Sequence, residues 1–264
     1  AGLSGRIDST ESLRDLYQTM LYDSPLLKPN GDRALRVAFG DERSLRVNRP
    51  VRALYRVLKE NLPRGVTELV PAYASLSVVY DPERVAIEEL AALLEKAALQ
   101  ARKQTGYEEP SRLLRIPICY QGEYAEDMEY IQRYTGLSRQ RIIELHTQEP
   151  YHVFQLGFTP GCPFIGPLQK ELHVPLMETP RTHTPKGAVA VSVGQTVIYP
   201  RATPGGMRII GRTPVQIFQV DHPELALFKP GDQVEFRPIS PAEYQDISSR
   251  TQELFEGVEV INRD

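Results

Sequence analysis

The sequence predicts an α+β domain followed by an all-β domain that is either a closed barrel or a sandwich. In the first half, strand-like and helix-like patterns follow one another in the order β-α-β-β-α-β, which is the split βαβ arrangement of ferredoxin-like domains. In the second half the prolines crowd into residues 150–241, where short strand-like runs are separated by Gly/Pro turns. The length of 264 residues fits one large domain or two ordinary ones, and this change in texture favours two.

The ferredoxin-like domain is predicted over residues 34–108. Apolar residues recur with period two in its strands and with helical spacing in its helices. The predicted strands are 34–40, 66–73, 75–81 and 113–120, and the predicted helices are 48–63, with Asn48 as N-cap, and 85–101. The last strand either closes this sheet or opens the next domain, and Pro117 favours a sheet edge. Residues 1–33 are assigned to an N-terminal extension with a helix at 9–21, and the polar segment 101–111 is the natural linker.

The all-β domain is predicted over residues 112–240 and begins with two short helices. The first ends at Gly136, and the second is capped by Ser138 and ends near His146. The runs that follow are YHVFQLGF, AVAVSV, TVIYP, MRIIG, VQIFQV and DQVEFRPI. Residues 241–264 are assigned to a C-terminal tail.

Composition and charge argue against several classes of partner. A net charge of −3 and a pI near 6.0 give no reason to expect nucleic acid. No apolar run is long enough to cross a bilayer, and the N-terminus lacks the apolar core of a signal peptide. We therefore expect a cytoplasmic protein with no membrane partner. Neither Cys119 nor Cys162 has metal-ligand spacing, so no metal is predicted on this chain.

The stretch FQLGFTPGCPFIG, residues 154–166, raises the question whether Cys162 is a nucleophile. A catalytic cysteine needs a base or a positive field to become a thiolate. Histidines lie nearby in sequence, but no signature of a cysteine enzyme surrounds Cys162. A small apolar filler in a turn is the favoured interpretation. P-loop, GxSxG and dinucleotide-binding motifs are also absent from the sequence.

Polar residues interrupt the apolar runs of the second half. They are Gln195 and Thr196, Arg212 and Thr213, and the proline-framed Arg181. An arginine in apolar surroundings needs an anionic partner or several carbonyl acceptors. Together with Tyr199, these residues could form a pocket that binds a carboxylate, phosphate or carbamoyl group. Alternatively, each arginine caps a loop or pairs with an acidic residue at the rim, and the residue pattern leaves both interpretations open.

Four segments together are far more specific than any one of them: EPYHVFQLGFTPGCPFIG, TPRTHTPKGAVAVSVGQTVIYP, TPGGMRIIGRTP and FKPGDQVEFRPI. They resemble the family that includes the B-type subunit of prokaryotic 5-oxoprolinase, the KipI-type inhibitor of a sporulation histidine kinase, and the allophanate hydrolase subunit 1 domain of urea carboxylases. The resemblance covers residues 34–240. It extends to VAFGDE, VPAYASLSVVYDP and IPICY in the first half.

The resemblance implies a cyclophilin-like β-barrel as the second domain and a role in an enzyme complex. The implied function is that of the B-type subunit of an ATP-dependent 5-oxoprolinase, which converts 5-oxo-L-proline to L-glutamate. The implied partners are an A-type subunit and a cyclophilin-like C-type subunit, with ATP in the assembled complex and no activity of this chain alone. The alternatives are a KipI-type binding inhibitor of a sensor histidine kinase, or a carboxyltransferase-type domain of a urea/allophanate-pathway enzyme.

The resemblance also assigns roles to residues. The implied catalytic residues are His146, Arg181, Gln195 and Arg212, and the implied substrate-binding residues are Tyr151, Phe158, Gly161, Thr196, Tyr199, Gly206 and Thr213. The arginines would hold a carboxylate or phosphorylated intermediate, and His146 could transfer a proton. The chain departs from the family pattern at Cys162 and Met207, where aromatic residues are usual, and at Leu176, Ala190, Val193 and Val197.

Overall fold

The computed structural model describes residues 21–103, 111–251 and 253–263. The chain divides into two compact units, Ala1–Gly106 and Tyr107–Asp264. The helix predicted at 9–21 lies outside the described residues except for Leu21, and so does the central part of the predicted linker, residues 104–110. Within the ranges described, no helix has the length and apolar character needed to cross a bilayer.

The first unit is a four-stranded antiparallel sheet with two helices. Its elements are β1 (Leu21–Pro29), β2 (Ala34–Gly40), α1 (Leu45–Glu60), β3 (Val66–Pro71), β4 (Ser75–Tyr80) and α2 (Ile87–Lys103). The sheet order is β1-β2-β4-β3, so β4 lies between the two strands that α1 connects. One apolar cluster joins the sheet to both helices, for example through Val37, Leu54 and Leu94. An α+β unit is therefore present, while the ferredoxin-like assignment stays a prediction.

Two local predictions for this unit were wrong. Helix α1 begins after Ser44, whose Oγ accepts the Val47 N–H at 3.4 Å. Asn48 is not the cap, because it is buried inside α1 and its side-chain amide donates to the carbonyls of Ala72 and Tyr73. The second concerns β1, which was assigned to an extension but pairs with β2. Its prolines are tolerated because β1 is an edge strand.

The second unit is a closed barrel of seven strands. The strands of the ring are β5 (Ser111–Cys119), β6 (Tyr151–Leu156), β7 (Pro163–Gly166), β9 (Ala188–Ser192), β10 (Gln195–Ile198), β12 (Arg208–Arg212) and β13 (Gln233–Ile239). Their order is β12-β9-β10-β7-β6-β13-β5, and a pairing between β12 and β5 closes the ring. Strands β13 and β5 are parallel, and the other neighbours are antiparallel. This arrangement is consistent with the cyclophilin-like barrel that the resemblance implies.

Strand β5 opens the second unit, which settles the choice that the sequence left open. The predicted edge position at Pro117 is wrong, because β5 has neighbours on both sides. Strand β13 pairs along one side of β5. On the other side, pairing with β14 (Glu259–Arg263) ends at Arg115 and pairing with β12 involves Cys119. Pro117 lies between these two pairings, where a missing N–H is tolerated.

The remaining elements of the second unit surround the barrel. Helices α3 (Met128–Thr135) and α4 (Arg139–Thr147) match the two predicted helices, and the Ser138 Oγ accepts the Arg141 N–H at 3.2 Å. Strands β8 (Arg181–Thr184) and β11 (Thr203–Gly205) form a separate two-stranded sheet. Helix α5 (Pro241–Arg250) and β14 lie in the segment predicted as a tail, and β14 pairs with β5.

Candidate functional site

Strand β10 distributes the predicted site residues over two faces of the barrel wall. Ile198 is fully buried in the main barrel core, and Thr196 is also fully buried. Val197 and Tyr199 belong to a second, smaller apolar cluster. Because successive side chains of a strand point to opposite faces, Gln195 and Tyr199 lie on the outer face, and Thr196 points inward.

His146 belongs to the barrel interior and not to the outer face. Its Nδ1 accepts the Tyr120 O–H at 2.8 Å, and its Nε2 lies 3.4 Å from the Thr196 hydroxyl, which donates to the Ala190 carbonyl. Because the Thr196 hydroxyl uses its own proton for the Ala190 carbonyl, it accepts from His146, which assigns the imidazole proton to Nε2. The ring stacks on Phe236, and burial lowers the pKa of His146 to about 3. His146 is therefore a neutral core residue whose ring nitrogens both have partners.

Three other predicted residues have structural contacts at separate places. The buried Tyr151 hydroxyl donates to a backbone carbonyl of α4 at 3.0 Å. Gly161 adopts a φ of +79°, and a Cβ there would lie 2.7 Å from the Phe218 side chain. The Thr213 hydroxyl accepts the Val215 N–H at 3.3 Å. These contacts fix α4, the β6–β7 turn and the segment after β12.

Tyr199 belongs to the smaller apolar cluster, on the outer face of the barrel wall. Gly205 packs directly against it, since a Cβ on Gly205 would lie 2.5 Å from the Tyr199 hydroxyl and 2.7 Å from the Thr184 hydroxyl. Thr184 is fully buried, and its hydroxyl has no hydrogen-bond partner within the part of the chain that is described. The Gly206 carbonyl accepts the Met177 N–H at 2.8 Å. The hydroxyl groups of Tyr199 and Thr184 thus both lie beside Gly205, the first residue of the double glycine.

The surroundings of Tyr199 keep its hydroxyl protonated. Burial raises the pKa of Tyr199, and the Cys162 thiol adds to this rise. The Arg181 guanidinium, a backbone hydrogen bond from Met207 and the nearby Thr184 hydroxyl act in the opposite direction but are weaker. A protonated phenol can donate a hydrogen bond to a carbonyl oxygen, and a guanidinium beside it favours developing negative charge.

Phe158 is the exposed member of this region. It lies in the turn between β6 and β7, with a φ of 66° and a side chain that is 67% exposed. The turn is closed by hydrogen bonds from Gly157 N–H to the Cys162 carbonyl and from Cys162 N–H to the Thr159 carbonyl. The Phe158 ring meets the Tyr199 ring edge to face at 6.2 Å. A bulky residue in the left-handed region is strained, and such strain clusters at functional sites. We call Phe158, Arg181, Thr184 and Tyr199 the outer-face site.

Arg181 is held in this site by an internal carboxylate. Its Nη2 lies 2.9 Å from both oxygens of Asp127, and its Nη1 donates to the Met207 carbonyl. Asp127 also accepts the Ile209 backbone N–H at 2.6 Å and lies 4.0 Å from the Arg208 guanidinium. The Asp127 carboxylate thus connects β8 to β12.

Arg212 pairs with the residue next to Asp127. Its Nη2 donates to Glu126 at 3.2 Å, and its guanidinium lies 5.7 Å from the Tyr124 ring centre. In the sheet, Arg212 pairs with Ala188, whose carbonyl accepts the Tyr199 N–H on the other side. The backbones of Arg212 and Tyr199 are therefore two strand spacings apart, about 10 Å.

The contacts of the two arginines match the alternative interpretation, and the shared ligand pocket stays a prediction. Their side chains are only 17% and 19% exposed, and they bind adjacent acidic residues, Asp127 and Glu126. Each thus has an acidic partner, as the alternative stated. The structure brings Arg181, Tyr199, Phe158 and Gly206 together, with Arg212 two strands away; it separates them from His146, Tyr151 and Thr196. Gln195 is the first residue of β10, whereas Tyr199 follows its last residue.

Cys162 has the predicted role of an apolar filler. It is buried in the cluster beneath Tyr199, together with Met207, and burial raises its pKa to about 12. Cys119 is buried as well, and neither cysteine is in a disulfide. In the described ranges, no group of three or more His, Cys, Asp or Glu side chains could hold a metal ion.

Sequence reasoning missed Thr184, Glu126 and Asp127. The motif that contains Arg181 also contains Thr184, and strand alternation from β8 could have indicated it. The acidic pair precedes α3 and carries no recognisable motif. Its partners lie 54 and 86 residues away along the chain.

Three curated relatives resemble this chain. The B-type subunit of 5-oxoprolinase from Bacillus subtilis (strain 168) is 34% identical over 222 residues, which is 81% of this chain and 92% of that protein. The protein of the same name in Escherichia coli O157:H7 is 35% identical over 175 residues, which is 66% of this chain and 78% of that protein. The urea amidolyase of Saccharomyces cerevisiae (strain ATCC 204508 / S288c) is 25% identical over 279 residues, 96% of this chain but 15% of that protein.

Solved structures and a family model agree with these relatives. The TTHA0988 structure has a TM-score of 0.69 at 34% identity, and the match covers 79% of this chain and 40% of that one. The urea carboxylase of Kluyveromyces lactis has a TM-score of 0.75 at 18% identity over 94% of this chain and 25% of its own, which shows a shared fold. Residues 25–228 match the family model for the carboxyltransferase domain, subdomain C and D. This chain therefore belongs to the carboxyltransferase domain family, subdomain C and D, together with the B-type subunits of 5-oxoprolinase.

Proposed function

We propose that this chain is the B-type subunit of a cytoplasmic, ATP-dependent 5-oxoprolinase that opens 5-oxo-L-proline to L-glutamate with A-type and C-type partner subunits. The B-type 5-oxoprolinase subunit of Bacillus subtilis supports this, because the match covers 92% of that protein at 34% identity. The observation that carries the proposal is the outer-face site. There a strained, exposed Phe158 meets the Tyr199 ring edge to face, and the Arg181 guanidinium lies close enough to lower the pKa of the Tyr199 hydroxyl.

The chemistry of these groups suits a small cyclic amide. The exposed Phe158 ring offers an apolar surface for the ring of 5-oxoproline. Tyr199 is itself buried, so the neighbouring Phe158 ring would have to move aside before the Tyr199 hydroxyl could donate to the amide oxygen. Negative charge develops on that oxygen when the amide is attacked. Arg181 would add a positive field, although its bond to Asp127 keeps it from acting as a free cation.

The proposal includes the expectation that this chain is inactive alone. His146 would be the natural proton carrier, but it is buried in the barrel with a pKa of about 3. Cys162 would be the natural nucleophile, but it is buried with a pKa of about 12. The partners are therefore expected to supply the ATP-dependent step, and this chain the binding surface and hydrogen-bond donors.

The test is 5-oxoproline-dependent ATP hydrolysis by the chain alone and by the complex with A-type and C-type subunits. We expect activity in the complex only. Removal of one donor to developing charge typically lowers kcat by about 100-fold or more, so Tyr199→Phe should lower kcat by that amount. The matched control is Tyr134→Phe, which removes an exposed hydroxyl on α3. Robust turnover by the lone chain, or equal kcat values for the two variants, would contradict the proposal.

A carboxyltransferase-type role in a urea pathway is the second candidate. It is favoured by the similarity to urea amidolyase, which extends over 96% of this chain. The same ATP hydrolysis assay discriminates the two candidates if urea replaces 5-oxoproline. Turnover with urea and none with 5-oxoproline would favour the second candidate.

A further inference from the structure

We propose that Arg212 binds the carboxylate group of a small ligand and that Glu126 is an internal carboxylate which this ligand displaces. The proposed function enters only in the choice of ligand, because 5-oxoproline carries one carboxylate. The inference itself rests on the different environments of two adjacent acidic residues.

Asp127 is fixed, whereas Glu126 is exchangeable. The Asp127 side chain is 10% exposed and is held by Arg181 and by the Ile209 N–H. Glu126 is 41% exposed, and its hydrogen bond to Arg212 at 3.2 Å is the one interaction found for its side chain among the described residues. An exposed ion pair with a single hydrogen bond is weak and is screened by salt. A ligand carboxylate can therefore compete with Glu126 but not with Asp127.

Arg212 has an unused donor for such a ligand. Its Nε is buried and has no acceptor within the described ranges, while Nη2 is bound to Glu126. Arginine binds carboxylates best through two parallel N–H groups. Glu126 uses one of the two N–H groups on this edge. A ligand that accepts from both Nε and Nη2 would satisfy a buried group that is left unpaired when Glu126 is bound.

The surroundings hold the guanidinium in place for this exchange. The centre of the Tyr124 ring lies 5.7 Å from it, and the Tyr244 ring packs against Tyr124 at a tilt of 36°, with ring centres 4.2 Å apart. The Tyr244 hydroxyl points to the Thr213 carbonyl at 3.4 Å, next to Arg212 in sequence. Helix α5, which contains Tyr244, therefore contacts both the ring beside the arginine and the residue that follows it.

The experiment is a calorimetric titration of the full chain with three probes: 5-oxo-L-proline, its uncharged carboxamide, and acetate as a minimal carboxylate. Glu126→Gln removes the internal competitor, and we expect it to tighten binding of the two carboxylates about two- to fivefold, the range for an exposed ion pair. Binding of the uncharged carboxamide should not tighten in this variant. Glu129→Gln is the matched control, because it removes an 83% exposed carboxylate from the neighbouring helix α3. Arg212→Lys keeps the charge without the paired N–H groups and should weaken carboxylate binding.

The outcomes separate this inference from the proposed function. Unchanged or weaker carboxylate binding by Glu126→Gln would overturn the inference, as would an equal gain with Glu129→Gln or with the carboxamide. A gain for acetate without any binding of 5-oxoproline would support the inference and contradict the proposed substrate. A complex that fails to hydrolyse ATP with 5-oxoproline would contradict the proposed function, while the calorimetric comparison would still stand. Because Glu126 is exposed, its variant tests the idea even if the Arg212 variant does not fold.

Discussion

His146 should make the barrel less stable as the pH falls from 7 to 5. The buried ring stays neutral down to a pKa of about 3, whereas the same ring in the unfolded chain has a pKa of 6.5. Between these values the unfolded state binds a proton that the folded state does not bind, so stability rises with pH in that window. The slope is about 1.4 kcal/mol per pH unit. Over the 1.5 units from pH 6.5 to pH 5 this amounts to about 2 kcal/mol.

Hydrogen exchange of the backbone amides in β9 and β10, measured at pH 7 and pH 5, gives the free energy of barrel opening at each pH. His146→Gln removes the titrating group. From pH 7 to pH 5, the free energy of barrel opening should therefore fall by about 2 kcal/mol less in this variant than in the unmodified chain. His183→Gln is the control, because His183 is exposed in β8. Comparing losses, not absolute stabilities, removes the cost of the substitution itself. Equal losses for the unmodified chain and His146→Gln would refute the reasoning.

Three further predictions concern local geometry. Val193 has a φ of 41° in the two-residue turn between β9 and β10, so Val193→Asn should raise the free energy of unfolding by about 1 kcal/mol in urea denaturation. Gly205→Ala should lower the free energy of unfolding by about 1–3 kcal/mol, because the new Cβ clashes with the Tyr199 hydroxyl. Gly206→Ala is the control and should be tolerated, since its Cβ would meet its nearest neighbour at 3.5 Å. Equal effects of the two substitutions would contradict this. Cys162, with a pKa of about 12, should not react with a disulfide reagent at pH 8 until urea unfolds the chain, and rapid labelling of the folded chain would contradict its burial.

Most of the fold could be predicted because apolar periodicity reports which face of an element is buried. This holds for helices α2 and α4 and for six of the seven strands of the barrel ring. Strand β7 was not predicted, and the strand predicted at VQIFQV (215–220) was wrong, because that run has only an isolated bridge at Phe218. The exceptions occur where residues that are distant along the chain but close in space determine the local structure. Asn48 has the chemistry of an N-cap, but the carbonyls that it binds belong to a distant loop. Prolines obscured β1, although an edge strand accepts them.

The candidate site was harder to predict because it depends on register. Gln195 and Thr196 are adjacent in sequence, so a strand must place them on opposite faces, and this reasoning from the sequence alone could have separated them. The partners of Arg181 and Arg212 could not be found this way. Asp127 and Glu126 precede a helix far along the chain, and barrel closure brings them to the arginines.

The parallel pairing of β5 with β13 has a consequence for synthesis on the ribosome. The sheet of the first unit is complete once Tyr80 has been made. The barrel begins with β5 but cannot close until β13 follows, and the bond between Arg112 and Asp232 spans 120 residues. Such non-local closure slows folding and prolongs exposure of unpaired strands. We therefore expect the first unit to fold while the chain is still growing, and the barrel to wait for the last of its strands.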